Sequence, residues 1–217
     1  MKRPTYVTDK ALKQFIKSAL EEDIQSGDHS TLSTIPADLV QSAKLLVKED
    51  CILAGVQLAE IIFKTFDKNL KIEVFIKDGE NAKVGDIAFI VTGKAQSILS
   101  TERLVLNCMQ RMSGIATLTH DWDSRLIGTK TKLLDTRKTT PNFRICEKWA
   151  VSIGGGTNHR YGLYDMIMLK DNHIDYNGSI TNAVKMTQQY LKKNKLKLKV
   201  EVETRNLAEV EEAAKLA

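Results

Sequence analysis

The sequence predicts a mixed α/β fold, on three observations. The first hundred residues alternate amphipathic helices with short strands, and a long helical stretch follows. From residue 131 onward a pattern of apolar strand, polar end and helix then occurs three times. That last pattern is the grammar of a βα barrel or an open parallel sheet. Such folds bind ligands at the carboxyl ends of their strands, so the polar ends are the first place to look for chemistry.

Residues 9–24 read as an amphipathic helix with Leu12, Phe15, Ile16, Ala19 and Leu20 on one side. Gly27-Asp28-His29-Ser30 breaks that pattern. Residues 43–48 and 71–77 read as strands with a helix at Val56–Phe66 between them, and residues 86–92 form a further strand bounded by Gly85 and Gly93. A helix is expected over 97–126, kinked at Gly114, with a core stripe of Leu99, Leu104, Leu106, Met109 and Met112. Arg103 and Arg111 interrupt that stripe.

In the C-terminal part the expected strands lie at 132–134, 166–169 and 196–203. Leu134, Met168 and Glu201 recur about every 33 residues, with helices at 143–153, 180–193 and 207–217 between and after them. The expected domains are 1–130 and 131–217. Three βα units are too few to close a barrel. The chain also stops inside a helical pattern with no glycine or proline stop, so a further C-terminal portion, or one from another chain, is expected.

Composition narrows the class. The hydrophobic fraction of 42% suffices for a core, and no run is long and apolar enough for a transmembrane helix. Asp9, Lys10 and Lys13 interrupt the N-terminal stretch that begins at Met1, so no signal peptide is expected. Cys51, Cys108 and Cys146 are widely spaced, fitting reduced thiols in a cytoplasmic protein rather than a disulfide framework or zinc site. The net charge of +5 is mild, and aromatics at 6% are not interleaved with basic runs, so nucleic-acid binding is not indicated. Lys192, Lys193, Lys195, Lys197 and Lys199 read as a solvated surface.

The strand ends carry a cluster of cations: Arg137, Lys138, Arg160 and Lys170, with His159 beside them. The stretch Asp135-Thr136-Arg137-Lys138-Thr139-Thr140 has no hydrophobe yet follows an apolar segment directly. Guanidinium groups grip forked acceptors such as carboxylates and pyrophosphates with paired hydrogen bonds. The cluster therefore points to a strongly anionic small substrate. Glu201 and Glu203, two apart in a strand, face the same way. They are expected to meet cations, a metal or sugar hydroxyls; the alternative is an edge strand with glutamates in water. Gly154-Gly155-Gly156 fits neither dinucleotide nor P-loop spacing, and His29, His120, His159 and His173 lack metal-binding spacing.

These residues resemble the quinolinate phosphoribosyltransferase family, also called nicotinate-nucleotide pyrophosphorylase (carboxylating). The resemblance rests on Asp135-Thr136-Arg137-Lys138-Thr139-Thr140-Pro141, Glu147-Lys148-Trp149-Ala150-Val151, Gly154-Gly155-Gly156-Thr157-Asn158-His159-Arg160 and Leu169-Lys170-Asp171-Asn172-His173. The stretches Glu102-Arg103-Leu104-Val105-Leu106-Asn107 and Ser113-Gly114-Ile115-Ala116-Thr117 are similar too. It implies an N-terminal α/β sandwich followed by an incomplete α/β barrel, here truncated at its C-terminus. It also implies a reaction: quinolinate and phosphoribosyl pyrophosphate, with Mg²⁺, giving nicotinate mononucleotide, pyrophosphate and CO₂ in NAD biosynthesis.

By matching motif, Thr136, Arg137, Lys138, His159, Arg160 and Lys170 would line the quinolinate and phosphate sites. Lys138, Lys170 and Glu203 would be catalytic, Glu203 lying near the ribose and a Mg²⁺-bound water, with Glu201 second. Arg103 would reach the active site of a partner subunit, so a homodimer or larger homo-oligomer is expected. Asn142 stands where relatives often carry glycine. The alternatives are a paralogue acting on another anionic acceptor, or a non-catalytic binding or scaffold protein.

Overall fold

Thr8 starts the first helix, α1 (Asp9–Ile24), where its hydroxyl accepts the Ala11 N–H and so satisfies one of the donors a helix start leaves open. The computed structural model describes residues 2–216. Contacts divide the chain into two compact units, Met1–His159 and Arg160–Ala217. That division falls after His159, whereas the sequence placed a boundary at residue 130.

In the first unit α1 is followed by α2 (His29–Thr34), β1 (Val40–Leu46), β2 (Cys51–Ile52), α3 (Val56–Phe66), β3 (Lys71–Val74), β4 (Asn81–Ala82) and β5 (Ile87–Lys94). A long helix, α4 (Ala95–Ser124), and a shorter one, α5 (Arg144–Ile153), complete it. The main sheet has the order β1-β5-β3 with antiparallel neighbours, and β2 pairs separately with β4. Apolar residues of β5, α3 and α4 share one core; Phe63 meets Phe89 edge to face with centroids 6.0 Å apart. This burial drives the layers together. The two-residue strands β2 and β4 carry no period for a sequence to reveal.

The helix α4 runs unbroken through Gly114, where a kink was expected. Its core face is also rotated from the expected stripe. Leu99 is 42% exposed, while Ile98, Val105, Cys108, Met109, Met112 and Ala116 are buried. At 3.6 residues per turn these positions form one arc, and Leu99 falls outside it. Arg103 points to the exposed side.

The glycine run is a packing device. A Cβ on Gly154 would run into the Ala116 carbonyl oxygen and lie 2.8 Å from Thr119 Cβ, so the end of α5 passes flush against α4 only without a side chain. Gly155 has φ +100°, in the left-handed region. We expect Gly154→Ala to cost about 1–3 kcal/mol or more by overpacking. Thermal unfolding of the variant checks this, and an unchanged midpoint would contradict it.

The segment 132–134 does not form the expected strand. Leu134 makes an isolated parallel bridge to Thr157, with Thr157 N–H donating to the Leu133 carbonyl at 2.8 Å and Asp135 N–H to the Thr157 carbonyl at 3.2 Å. One neighbouring residue satisfies these backbone groups, so no ladder is needed.

The second unit contains β6 (Ile167–Leu169), α6 (Asp171–Asn177), α7 (Ile180–Asn194), β7 (Val200–Val202) and α8 (Leu207–Ala214). The strands β6 and β7 pair in parallel, in the register Ile167↔Val200, Met168↔Glu201 and Leu169↔Val202. Ser179 caps α7 by accepting from the Asn182 N–H, and Lys195 ends it in the left-handed conformation. A small core of Leu169, Ile174, Ile180, Ala183 and Val184 holds the unit together. The helix α6 stands where the sequence predicts only a polar strand end; with Ile174 as its one buried residue, no apolar period marks it. The last helix stops at Ala214, and the expected end at Ala217 lies outside the described residues. Among the described residues no helix is long and apolar enough to cross a membrane.

Candidate active site

In the first unit the loop 135–142 leaves the Leu134 bridge carrying Thr136, Arg137 and Lys138. Thr136 and Lys138 are exposed and Arg137 is half-buried. The Thr136 hydroxyl accepts the Lys138 N–H at 3.1 Å, and the Arg137 carbonyl accepts the Thr139 N–H at 2.9 Å. These local bonds turn the backbone tightly between the two cations. The loop ends at Asn142, whose φ of 61° is a left-handed conformation that glycine or asparagine adopts most readily.

Beneath this loop lies a network that the sequence did not announce. The Asp135 carboxylate accepts from the Lys148 ammonium, from the Asn158 amide at 2.7 Å and from the His159 backbone N–H at 2.8 Å. The side chains of Lys148 and Asp135 are only 1% and 6% exposed. Asn158 also donates to the Lys148 carbonyl at 2.8 Å, and the Tyr6 hydroxyl donates to Asn158 Oδ1 at 2.9 Å. His159, half-buried, is thereby held through its backbone to the same carboxylate that begins the loop. The one available signal was Lys148 itself, a cation inside the apolar run Ile145–Ile153, where a buried charge needs a partner.

A second carboxylate secures the loop's far end. Glu147 accepts from Thr140 N–H at 3.0 Å, from the Thr140 hydroxyl at 2.9 Å, and from Arg111 Nε and Nη2 at 3.1 and 2.9 Å. This pairing accounts for the arginine that interrupts the α4 stripe at position 111. Burial works to raise the Glu147 carboxyl, and the bonds from Arg111 and Thr140 more than offset it, holding the group below its ordinary range. With the folded pKa depressed, its stabilisation is present above the ordinary glutamate pKa of about 4.3 and is lost as pH falls through the folded value. Glu147→Gln is expected to flatten the acid limb of the stability profile. A profile unchanged below pH 5 would contradict this.

Cys146 faces Cys108 within the core. The hydrogen bond between the thiols and their burial push Cys146 far above the ordinary thiol range, so it packs as an unreactive side chain.

In the second unit the parallel register sets Lys170, just after β6, beside Glu203, just after β7. Lys170 Nζ lies 2.8 Å from Glu203 Oε1, with the two side chains 44% and 43% exposed. Glu203 N–H still donates to the Leu169 carbonyl at 2.9 Å, so the pairing continues one residue beyond the strand and aims both side chains from the carboxyl ends. Glu201, half-buried, sits within β7 opposite Met168. Glu203 meets a cation here, one of the expected partners for a glutamate on that strand. Arg160 is half-buried and donates to the Met166 carbonyl at 3.3 Å. The His173 ring accepts the Lys170 N–H through Nδ1 at 2.9 Å, closing the start of α6. Among the described residues no group of three or more His, Cys, Asp or Glu could hold a metal ion.

The fold and these side chains define an α/β protein with basic groups on loops and at parallel strand ends. Residues 28–113 match the family model of the quinolinate phosphoribosyl transferase N-terminal domain, and residues 115–217 that of its C-terminal domain. The chain is 49% identical over 210 residues to tobacco (Nicotiana tabacum) "Quinolinate phosphoribosyltransferase [decarboxylating] 2b, mitochondrial", covering 96% of this chain and 58% of that protein. It is 39% identical over 210 residues to the "Probable nicotinate-nucleotide pyrophosphorylase [carboxylating]" of Synechocystis sp., covering 97% of this chain and 68% of that protein. Among solved structures, NadC from Streptococcus pyogenes aligns with a TM-score of 0.89 at 39% identity, over 98% of this chain and 74% of that one. The chain belongs to the quinolinate phosphoribosyltransferase family. It spans about three fifths of the length of the curated tobacco relatives it matches.

Proposed function

We propose that the protein transfers a phosphoribosyl group from phosphoribosyl pyrophosphate to quinolinate and decarboxylates the product, giving nicotinate mononucleotide, pyrophosphate and CO₂. Family membership along both halves of the chain supports this reading. The observation that carries it is the Lys170–Glu203 pair at adjacent parallel strand ends. A half-exposed pair of this kind can open to ligand at little cost. Lys170 then meets an anion and Glu203 is free for ribose hydroxyls. The relatives quoted are described as quinolinate phosphoribosyltransferase or nicotinate-nucleotide pyrophosphorylase, so the other-acceptor and scaffold alternatives are not favoured.

In the proposed reaction the pyridine nitrogen of quinolinate attacks C1 of the ribose as the bond from C1 to the pyrophosphate oxygen breaks. Arg137, Lys138, His159, Arg160 and Lys170 are assigned to the substrate carboxylates and phosphates, with Thr136 beside them. Cations so placed stabilise negative charge gathering on the leaving pyrophosphate. The ribosylated nitrogen is positively charged and stabilises the electron pair left on the adjacent ring carbon as CO₂ departs; a proton then replaces the carboxylate. The protein's part is positioning and electrostatics.

Mg²⁺ is proposed to arrive with the donor's pyrophosphate, where it would neutralise phosphate charge. An ion of this kind keeps several waters and takes only one or two carboxylates, for which Glu203 and then Glu201 are proposed. Arg103, exposed on α4, is proposed to serve the active site of a second copy in a homodimer or larger assembly. The unpaired cysteines support a reducing compartment, and the cytoplasm is our reading, although the tobacco relative is described as mitochondrial.

Calorimetric titration tests the acceptor. Quinolinate, with two carboxylates, should bind at least tenfold more tightly than nicotinate with one, since each charge-assisted bond contributes about 1.5–3 kcal/mol. Equal affinities would overturn the assignment.

A further inference from the structure

We propose that one face of α5, formed by Arg144, Glu147 and Lys148, is a positioning device that holds the loop of Thr136, Arg137 and Lys138 in its ligand-binding shape before the ligand arrives. Positions i, i+3 and i+4 of a helix share a face, and these three side chains strap the loop at successive points. Lys148 holds Asp135 at its start. Arg144 donates to the Thr139 hydroxyl at 2.9 Å and to the Arg137 carbonyl at 3.5 Å, in its middle. Glu147 takes both donors of Thr140 at its end.

The strap is itself anchored. Arg111 ties Glu147 to α4, and the Gly154 contact fixes the end of α5 against the same helix. Lys148 and Glu147 are consecutive charges of opposite sign, so each end of the loop is held by a bond that a shifted register would break. Apart from the local Thr136 and Thr139 bonds, the loop has no regular secondary structure to keep its cations together. Two neighbouring cations repel each other, and without the strap they would spread into solvent. Holding them in advance moves the ordering cost from binding to folding. The same Asp135 carboxylate fixes the His159 backbone, so the device sets a second proposed ligand residue in the same unit.

This inference rests on the proposed function only in naming the ligand. The test is hydrogen–deuterium exchange on the full chain, with Glu147→Gln and, in case that variant folds poorly, Thr140→Val. Thr140→Ser, which keeps the hydroxyl donor, serves as the conservative control. Amide exchange across residues 135–142 should quicken at least tenfold in the first two variants and stay at the wild-type rate in the third. Exchange in α1 and α3 should not change. Quinolinate affinity should fall about tenfold in step with the loosened loop. Unchanged loop exchange would overturn the proposal, and so would a loosened loop with full affinity. A wild-type chain that fails to bind quinolinate would defeat the functional reading instead, and loop exchange would still decide the strap.

Discussion

Lys148→Met is expected to destabilise the first unit by about 3–5 kcal/mol, since it leaves the Asp135 carboxylate buried without its cation. Methionine matches the volume, so the loss is electrostatic and not a cavity effect. For a chain of this size each kcal/mol moves the midpoint by about 2–4 °C, giving a drop on the order of 10 °C in thermal unfolding. Asp135→Leu combined with Lys148→Met should recover part of this, because no unpaired charge remains. Recovery will be incomplete, because the His159 N–H and the Asn158 amide lose their acceptor at about 1–3 kcal/mol each. A single variant within 1 kcal/mol of the parent would show that the pair is not buried as described.

Lys170→Met is expected to behave oppositely. Its ion pair with Glu203 is nearly half exposed on both sides, and such pairs contribute about 0–1 kcal/mol, so stability should hardly move. Turnover should fall by about 10²–10³ in kcat/KM, the loss typical when one group that stabilises transition-state charge is removed. The paired measurement is steady-state kinetics with thermal unfolding on the same sample. Activity within fivefold of the parent would remove Lys170 from the catalytic set. A large loss of stability would make it a structural residue.

These two lysines also show what the sequence could reveal. Lys170 stood out because it follows an apolar strand and begins a polar run, the position where parallel α/β folds bind ligands. Lys148 did not, because a lysine in a helix is ordinarily a solvated residue, and its partner Asp135 lies thirteen positions away across a turn. The helices α1 and α3, each with a full apolar period, match the expected bounds of 9–24 and 56–66 to the residue. The helix α6 was hidden by its polar composition, and the segment 132–134 lacked the length that separates a strand from a single bridge. Tertiary contact decided those cases. The packing role of the glycine run, close passage of α5 along α4, is invisible without the second helix.

The central claim is tested most directly by incubating the native protein with quinolinate, phosphoribosyl pyrophosphate and Mg²⁺ and measuring pyrophosphate and CO₂ together. Release of both in equal amounts, dependent on quinolinate, is the predicted result. Pyrophosphate release that ignores quinolinate, or no release of either product, would contradict it.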